Sequence, residues 1–279
     1  MHICFNGKTF QATDRIFTAA NKGYRYGDGL FETIKIVNRN IPLFELHMER
    51  LFDGVKTLEL STSRLFTAEK LRSDIIALCN KNQCSALGRI RLSVSRGEGG
   101  IYEQEGDHLH YLIEAWPANA ATNRLNENGL VIGVYPHAKK SMDIFSSLKS
   151  ANYLPYTMAA RFTKQQQWND CLVLNTEGNI ADATIANVFL VKNDTILTPA
   201  QGEGGVKGVM KTWLLEKLRQ ADYKISEKKI SVDEALEADE IFLTNAMNGI
   251  RWVGQMENKS FTNRITLSIY REFIQQLWS

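Results

Sequence analysis

Two hydrophobic rhythms run along the chain, and each one predicts a kind of element. Phe44, Met48, Leu51, Val55 and Leu58 recur at alternating steps of four and three, the stripe of a helix with one buried face. Glu45, Glu49, Asp53 and Lys56 fall on its polar side. A second helix is expected from Thr67, its N-cap, through Leu71, Ile75 and Leu78. From Arg89 to Ser95 polar and apolar residues alternate strictly, as in a strand with one face buried. His2 to Phe5 predicts a strand ending in the turn Asn6-Gly7. Phe31 to Val37 predicts another after Gly27-Asp28-Gly29, and Leu109 to Trp116 a third that Pro117 ends.

Residues 117–123 are small and polar and lack either rhythm, which marks a linker. It divides a smaller N-terminal α+β domain, residues 1–116, from a larger C-terminal one, residues 124–279. The larger part predicts strands at Leu130–Tyr135, Cys171–Asn175, Asn187–Val191, Thr195–Leu197 and Glu240–Thr244. Thr176–Asn179 and Lys192–Asp194 read as hairpin turns. A helix is expected to open around Lys149 and run to about Gln167, with Pro155 in its first turns. Another spans Val209 to Ala221, and Ser231-Val-Asp-Glu234 is a capping box for a short one. Asn263 is expected to cap the last helix, with a stripe of Ile269, Phe273 and Leu277. The fold class is α+β in two domains.

Composition narrows the function. The 279 residues carry 33 basic and 31 acidic side chains, a net charge of +2, with no basic block of the kind that binds nucleic acid. Such a surface suits small-molecule chemistry. Cys4, Cys79, Cys84 and Cys171 include no Cys-x-x-Cys pair and read as thiols in a reducing compartment. The start, Met-His-Ile-Cys-Phe, lacks the basic and apolar regions of a signal peptide, and no run of about 18 apolar residues spans a membrane. A cytoplasmic enzyme is expected. His108 and His110 share a strand face without a third ligand, so no metal is expected. Gly97-Glu-Gly-Gly100 has no surrounding βαβ unit and is no dinucleotide fingerprint.

Three segments carry candidate chemistry. They are Ser147-Leu-Lys149-Ser-Ala-Asn-Tyr153, Ile180-Ala-Asp182-Ala-Thr-Ile-Ala-Asn187-Val-Phe189 and Gly204-Gly-Val-Lys-Gly208-Val-Met-Lys211. A lysine amine, an acid and a glycine-rich helix start are what pyridoxal phosphate needs for its aldehyde, its ring nitrogen and its phosphate. Together with Tyr24-Arg-Tyr-Gly-Asp-Gly-Leu-Phe31-Glu-Thr33 and His47-Met-Glu-Arg50-Leu51, these motifs make the chain resemble the class IV, fold-type IV pyridoxal-phosphate enzymes. That group holds branched-chain aminotransferases, D-amino acid aminotransferases and 4-amino-4-deoxychorismate lyases. The resemblance covers nearly the whole chain. It implies a D-amino acid aminotransferase-like fold and a homodimer in which first-domain loops reach the partner's pocket.

The resemblance also implies roles. Lys149 bonds the cofactor aldehyde and then shuttles a proton, which requires a neutral amine. Asp182 pairs with the pyridine nitrogen, where the family usually has glutamate, and is one methylene shorter. Arg50 grips the phosphate, as do the amides of Val209 and Met210, with Gly208 allowing close approach. Lys211 stands where the family often has arginine. Tyr153, four residues after Lys149, bonds the cofactor's phenolic oxygen. Asn187 closes the turn after the acid. Asn245 and Ala246 form a loop near phosphate or substrate, with alanine where many aminotransferases have threonine. Tyr24, Tyr26, Phe31 and Arg96 line the substrate pocket. Asn245-Ala246-Met247, Ile185-Ala186-Asn187 and Ser95 to Gly100 resemble the lyases, which release 4-aminobenzoate and pyruvate from 4-amino-4-deoxychorismate. Tyr153 and Phe31-Glu32 resemble the branched-chain enzymes, so an aminotransferase is the alternative. A non-catalytic cofactor-binding or structural module is the third reading.

Overall fold

A computed structural model of the chain describes residues 1–103 and 108–278. The chain divides into two compact units. The first comprises Met1–Ala120 together with Leu148–Asn152, and the second Ala121–Ser147 together with the chain from Tyr153 onward.

In the first unit the elements follow as β1 (His2–Phe5), β2 (Lys8–Gln11), α1 (Lys22–Tyr26), β3 (Gly29–Val37), α2 (Phe44–Thr57), α3 (Ala68–Lys81), β4 (Leu87–Ser95) and β5 (His110–Pro117). The strands form one sheet in the order β2-β1-β5-β4-β3, with every pair antiparallel. Alternation along β3 and β4 sorts their side chains. Leu30, Ile34, Ile36, Ile90 and Leu92 face a core shared with Met48 and Leu51 of α2 and Leu71 and Ile75 of α3. Phe31, Thr33 and Lys35, with Arg89, Arg91 and Ser93, take the opposite face. The periodic stripe predicts α2, and Thr67 does cap α3, its side chain accepting from the Lys70 N–H.

The helix expected at Lys149 is not there. Leu148–Asn152 runs extended beside β3: the Phe31 N–H donates to the Lys149 carbonyl at 2.9 Å and the Ala151 N–H to the Gly29 carbonyl at 2.8 Å. Leu30 and Ser150 form an antiparallel bridge. The reason is Pro155, which in a helix interior loses one N–H bond and clashes with the carbonyl four residues back. The helix therefore starts late, at Leu154, with Tyr153 as its N-cap and proline in its first turn. Two expectations change. Lys149 and Tyr153 are not one helical turn apart, and Lys149 groups with the first unit although the linker division assigns it to the second domain.

The second unit contains β6 (Leu130–Val134), α4 (Leu154–Gln165), β7 (Asp170–Leu174), β8 (Ile180–Ala183), β9 (Asn187–Lys192), β10 (Thr195–Pro199), α5 (Val209–Gln220), β11 (Ile225–Lys228), α6 (Val232–Leu236), β12 (Glu240–Asn245), β13 (Gly249–Met256), β14 (Lys259–Ser260) and α7 (Arg264–Ile269). Its sheet runs β11-β10-β9-β12-β13-β6-β7-β8, with β14 on β13. The pairs β10–β11, β13–β6 and β6–β7 are parallel and the rest antiparallel. β8 returns against β9 and β10, so the sheet curls around Leu172, Ile180, Leu190 and Ile241. β8 carries Asp182 and lies outside the sequence expectations, because all four of its residues are buried and no alternation marks it. β11 and β13 are likewise additions. The residues after α7 form a π turn, Tyr270–Ile274. The wider turn moves the buried stripe by one residue. Tyr270, Ile274 and Trp278 are buried, in place of Phe273 and Leu277. Asn263 stands at the N-cap of α7 without a side-chain cap bond.

All four cysteines are unpaired and buried. Among the described residues no helix is long and apolar enough to cross a membrane.

Gly29 allows β3, β4 and the Lys149 segment to meet, since a Cβ there would lie 2.3 Å from the Val94 carbonyl oxygen. Gly29→Ala is expected to destabilise the protein by about 1–3 kcal/mol, the usual cost of overpacking. Urea unfolding checks this, and an unchanged midpoint would contradict the packing.

Candidate active site

In the first unit the Lys149 amine lies 4.5 Å from the centre of the Phe31 ring. The Arg91 guanidinium lies 4.0 Å from the same ring. One aromatic ring thus holds two cationic groups, an arrangement ring quadrupoles favour. Strand register extends the set. Thr33 faces Arg91, Lys35 faces Arg89, and Arg91 faces Glu114. Lys35 is only 1% exposed, and burial brings its amine down to about 7. Glu114 is the one acid among these strand positions. Burial pushes its carboxyl up, against the pull of Arg91 and Arg89.

The other face of β3 anchors Arg50. Glu32 is buried and accepts from Arg50 Nε at 2.8 Å and from the Arg50 terminal nitrogen at 2.5 Å. His47 Nδ1 meets the same carboxylate at 2.7 Å. Burial alone would push the Glu32 carboxyl up, but the Arg50 charge and the His47 and Arg50 bonds outweigh it and bring it down to about 2. Burial also lowers His47, against the bond and charge of Glu32 that raise it. Its Nε2 has no partner among the described residues. Lys149 is among the charges His47 feels.

The pocket expectations fare differently. Arg96 donates from Nε to Asp28 at 2.7 Å and from a terminal nitrogen to the Leu58 carbonyl at 2.6 Å, binding the start of β3 to the end of α2. Tyr24 is 81% exposed and Tyr26 44%, both on the short helix α1.

In the second unit Asp182 is buried at the centre of a ring of donors. Its Oδ2 accepts from the Tyr156 hydroxyl at 2.7 Å and the Val206 N–H at 2.7 Å, and its Oδ1 from Asn187 Nδ2 at 2.7 Å. Burial pushes the carboxyl up. The Lys140 charge and then the Val206, Tyr156 and Asn187 bonds pull it back, and the balance stays above the usual range. Asn187 also donates to the Val206 carbonyl at 2.9 Å, so it ties the acid to the loop before α5. Two glycines are required here. A Cβ on Gly205 would lie 2.6 Å from the Ala181 carbonyl and 3.0 Å from Asp182 Oδ1, and one on Gly208 would overlap Asn187 Oδ1.

Helix α5 begins after Gly208 without a side-chain cap, so its first amides are those of Val209 and Met210. Thr244 faces Asn187 across the β9–β12 register. Its buried hydroxyl has no partner among the described residues. Asn245 closes its own turn, accepting from the Met247 and Asn248 N–H groups at 3.0 and 2.9 Å, and Ala246 lies within it. Lys211 points away from any helix-start role and donates to the Pro199 carbonyl at 2.5 Å. The Tyr153 hydroxyl donates to the Thr184 carbonyl at 3.1 Å, and its ring stacks on Tyr156 at 4.5 Å.

Glu32, His47, Arg91, Lys140 and Tyr156 take site positions to which sequence reasoning assigns no role. Strand parity offers a signal for Arg91, which shares a face with Phe31. Nothing in the spacing points to Lys140 or Tyr156, which reach Asp182 through tertiary contact.

The family described as Amino-transferase class IV matches residues 29–256. An aminodeoxychorismate lyase from Vibrio harveyi is 26% identical over 243 residues, 82% of this chain and 83% of that protein. A D-alanine aminotransferase from Bacillus licheniformis is 24% identical over 245 residues, 88% and 84% of the two chains. A 4-amino-4-deoxychorismate lyase from Pseudomonas aeruginosa superposes with a TM-score of 0.87 at 23% identity, covering 99% of this chain and 100% of that one. The chain belongs to the class IV aminotransferase family and has its fold-type IV architecture. The members of this family are pyridoxal-phosphate-dependent enzymes acting on small amino or keto acids.

The Glu32 carboxylate has a pH signature. Its folded value lies below the ordinary 4.5, so its stabilisation is complete above that pH and is lost as pH falls toward about 2. Glu32→Gln is expected to remove a pH-dependent contribution on the order of 3 kcal/mol across that window. Acid unfolding of both proteins measures it, and superimposable pH profiles would refute it.

Proposed function

We propose that the protein is a lyase that converts 4-amino-4-deoxychorismate to 4-aminobenzoate and pyruvate, with pyridoxal phosphate held by the residues described above. The donor set fits that group. A carboxylate offers about four acceptor sites. Three on Asp182 are used, and the remaining one is on Oδ1, on the side that Gly205 keeps open. The uncapped start of α5 and the unpartnered Thr244 hydroxyl near Asn187 suit an anion such as the phosphate, and the Arg50 guanidinium is of the kind that binds one. When bound, the cofactor supplies an electron sink that allows a proton to leave the carbon bearing the substrate amine.

The chain's own residues supply the rest. Lys149 links to the cofactor and moves the proton at the substrate carbon. Arg91, on the same aromatic ring, offers a guanidinium to a substrate carboxylate. Asp182 holds a proton at the ring nitrogen. Glu32 keeps the Arg50 fork in one orientation.

The observation that carries the lyase reading is the charge on the Phe31 face. Two arginines, beside Lys149 and the buried Lys35, meet a single carboxylate among the described strand positions. That excess suits a substrate with two carboxylates, as 4-amino-4-deoxychorismate has, better than a monocarboxylic amino acid. Ala246 adds support, since it lacks the hydroxyl that many related aminotransferases place there. An aminotransferase is the second reading, and the D-alanine aminotransferase relative favours it. We also infer a homodimer, supported by the exposed Tyr24, Ile101 and Tyr102 of the first unit.

Purified holoenzyme given aminodeoxychorismate is expected to release 4-aminobenzoate steadily, and Lys149→Ala to release none. Arg91→Met is expected to lower kcat/KM about 10- to 100-fold, the worth of a charged hydrogen bond. Rapid exchange between amino and keto acids without 4-aminobenzoate would replace the lyase with an aminotransferase. Full turnover by Lys149→Ala would remove the mechanism.

A further inference from the structure

Asp182 stands where the family usually has glutamate, and its neighbours differ from an ordinary carboxylate environment in one respect. A tyrosine hydroxyl and a lysine charge reach it in series. Tyr156, buried in the first turns of α4, donates to Asp182 Oδ2 at 2.7 Å. The Lys140 amine lies 4.9 Å from the centre of the same tyrosine ring. Both ends are fixed. The Tyr156 ring stacks on Tyr153. Lys140 is held by its backbone N–H to the Leu174 carbonyl at 2.8 Å and by its amine to the Ser146 carbonyl at 2.9 Å.

We propose that Tyr156 and Lys140 are positioning residues that let an aspartate act as the ring-nitrogen acid. Tyr156 fixes Oδ2, and Lys140 supplies across the tyrosine ring the positive charge that keeps the carboxylate ionised. Oδ1 is left to a protonated nitrogen of the ligand. The inference rests on the pyridoxal-phosphate reading above.

A buried carboxylate loses its hydration and gives up its charge unless donors and cations replace the water. Asn187 and the Val206 amide are neutral donors. The charges acting around Asp182 are Lys140, held back by its own burial and assisted by Asp143, and Lys211, bonded to Pro199. Lys140 draws the Asp182 carboxyl down, and its amine lies over the ring of Tyr156, whose hydroxyl donates to the same carboxylate. A shorter acid has less reach, so the oxygen not facing the ligand must be held for the other to be placed. Tyr156 and the Val206 N–H both hold Oδ2. A purely packing role for Tyr156 would give a loss of stability alone.

The test uses holoenzyme reconstituted with pyridoxal phosphate labelled with 15N in the ring, comparing wild type, Tyr156→Phe, Lys140→Met and Lys140→Arg. The variants' folding is checked by melting the apo-proteins. In wild type the ring nitrogen is expected to resonate at its protonated position. In Tyr156→Phe and Lys140→Met it moves toward the unprotonated position, because a less stabilised aspartate takes the shared proton. Cofactor dissociation constants rise about 10- to 100-fold, as expected when a hydrogen bond to a charged group is lost. Lys140→Arg keeps the charge and stays near wild type. Wild-type resonance and affinity in both Tyr156→Phe and Lys140→Met would overturn the inference while leaving the cofactor reading intact. A wild-type protein that takes up no cofactor would overturn that reading, and this inference with it.

Discussion

A carboxylate that has left water must be surrounded by donors, and much of the second unit is arranged around that requirement at Asp182. Tyr156, Asn187 and the Val206 amide each give it a bond. Those bonds constrain what lies next. Asn187 can reach the acid only if Gly208 has no side chain, and Oδ1 stays open only if Gly205 has none. The glycine-rich segment before α5 is therefore a consequence of the buried acid. Acid, loop and helix start form one coupled structure, which is why a change at any of them is felt at the others.

The first unit is governed by the alternation of a single strand. Leu30, Glu32, Ile34 and Ile36 of β3 face the helices, and Glu32 there grips Arg50 and His47. Phe31, Thr33 and Lys35 face the other way, and Phe31 meets Lys149 and Arg91. Lys149 owes its place to main-chain bonds with this strand, so its amine is positioned by a sheet edge instead of by a flexible loop. Consecutive residues of one strand thus separate the Arg50 and His47 contacts from the Lys149 and Arg91 contacts, and a shift of one residue in register would exchange them.

Much of this is legible in the sequence because it depends on local rules. The stripe of α2, the Thr67 and Ser231 caps and the strict alternation of β4 are near-neighbour patterns, and the structure contains each of them. The segments holding Lys149, Asp182 and the start of α5 stand out because three kinds of chemistry occur in order. What the sequence hides depends on contacts remote along the chain. The helix assigned to Lys149 fails because Pro155 delays its start and because β3, more than a hundred residues earlier, offers an edge to pair with. β8 lacks alternation because both of its faces are covered. The C-terminal stripe shifts by one because a π turn interrupts the period. Lys140 and Tyr156 meet Asp182 only after β7, β8 and α4 have packed, and no spacing rule records that.

The central claim is that the Lys149 amine is the covalent anchor of the cofactor. Borohydride reduction of the reconstituted holoenzyme, followed by peptide mapping by mass spectrometry, tests it most directly. The account predicts a single phosphopyridoxyl addition on the peptide carrying Lys149. Addition at another lysine, such as Lys140 or Lys211, or no addition to a protein that binds the cofactor, would contradict it.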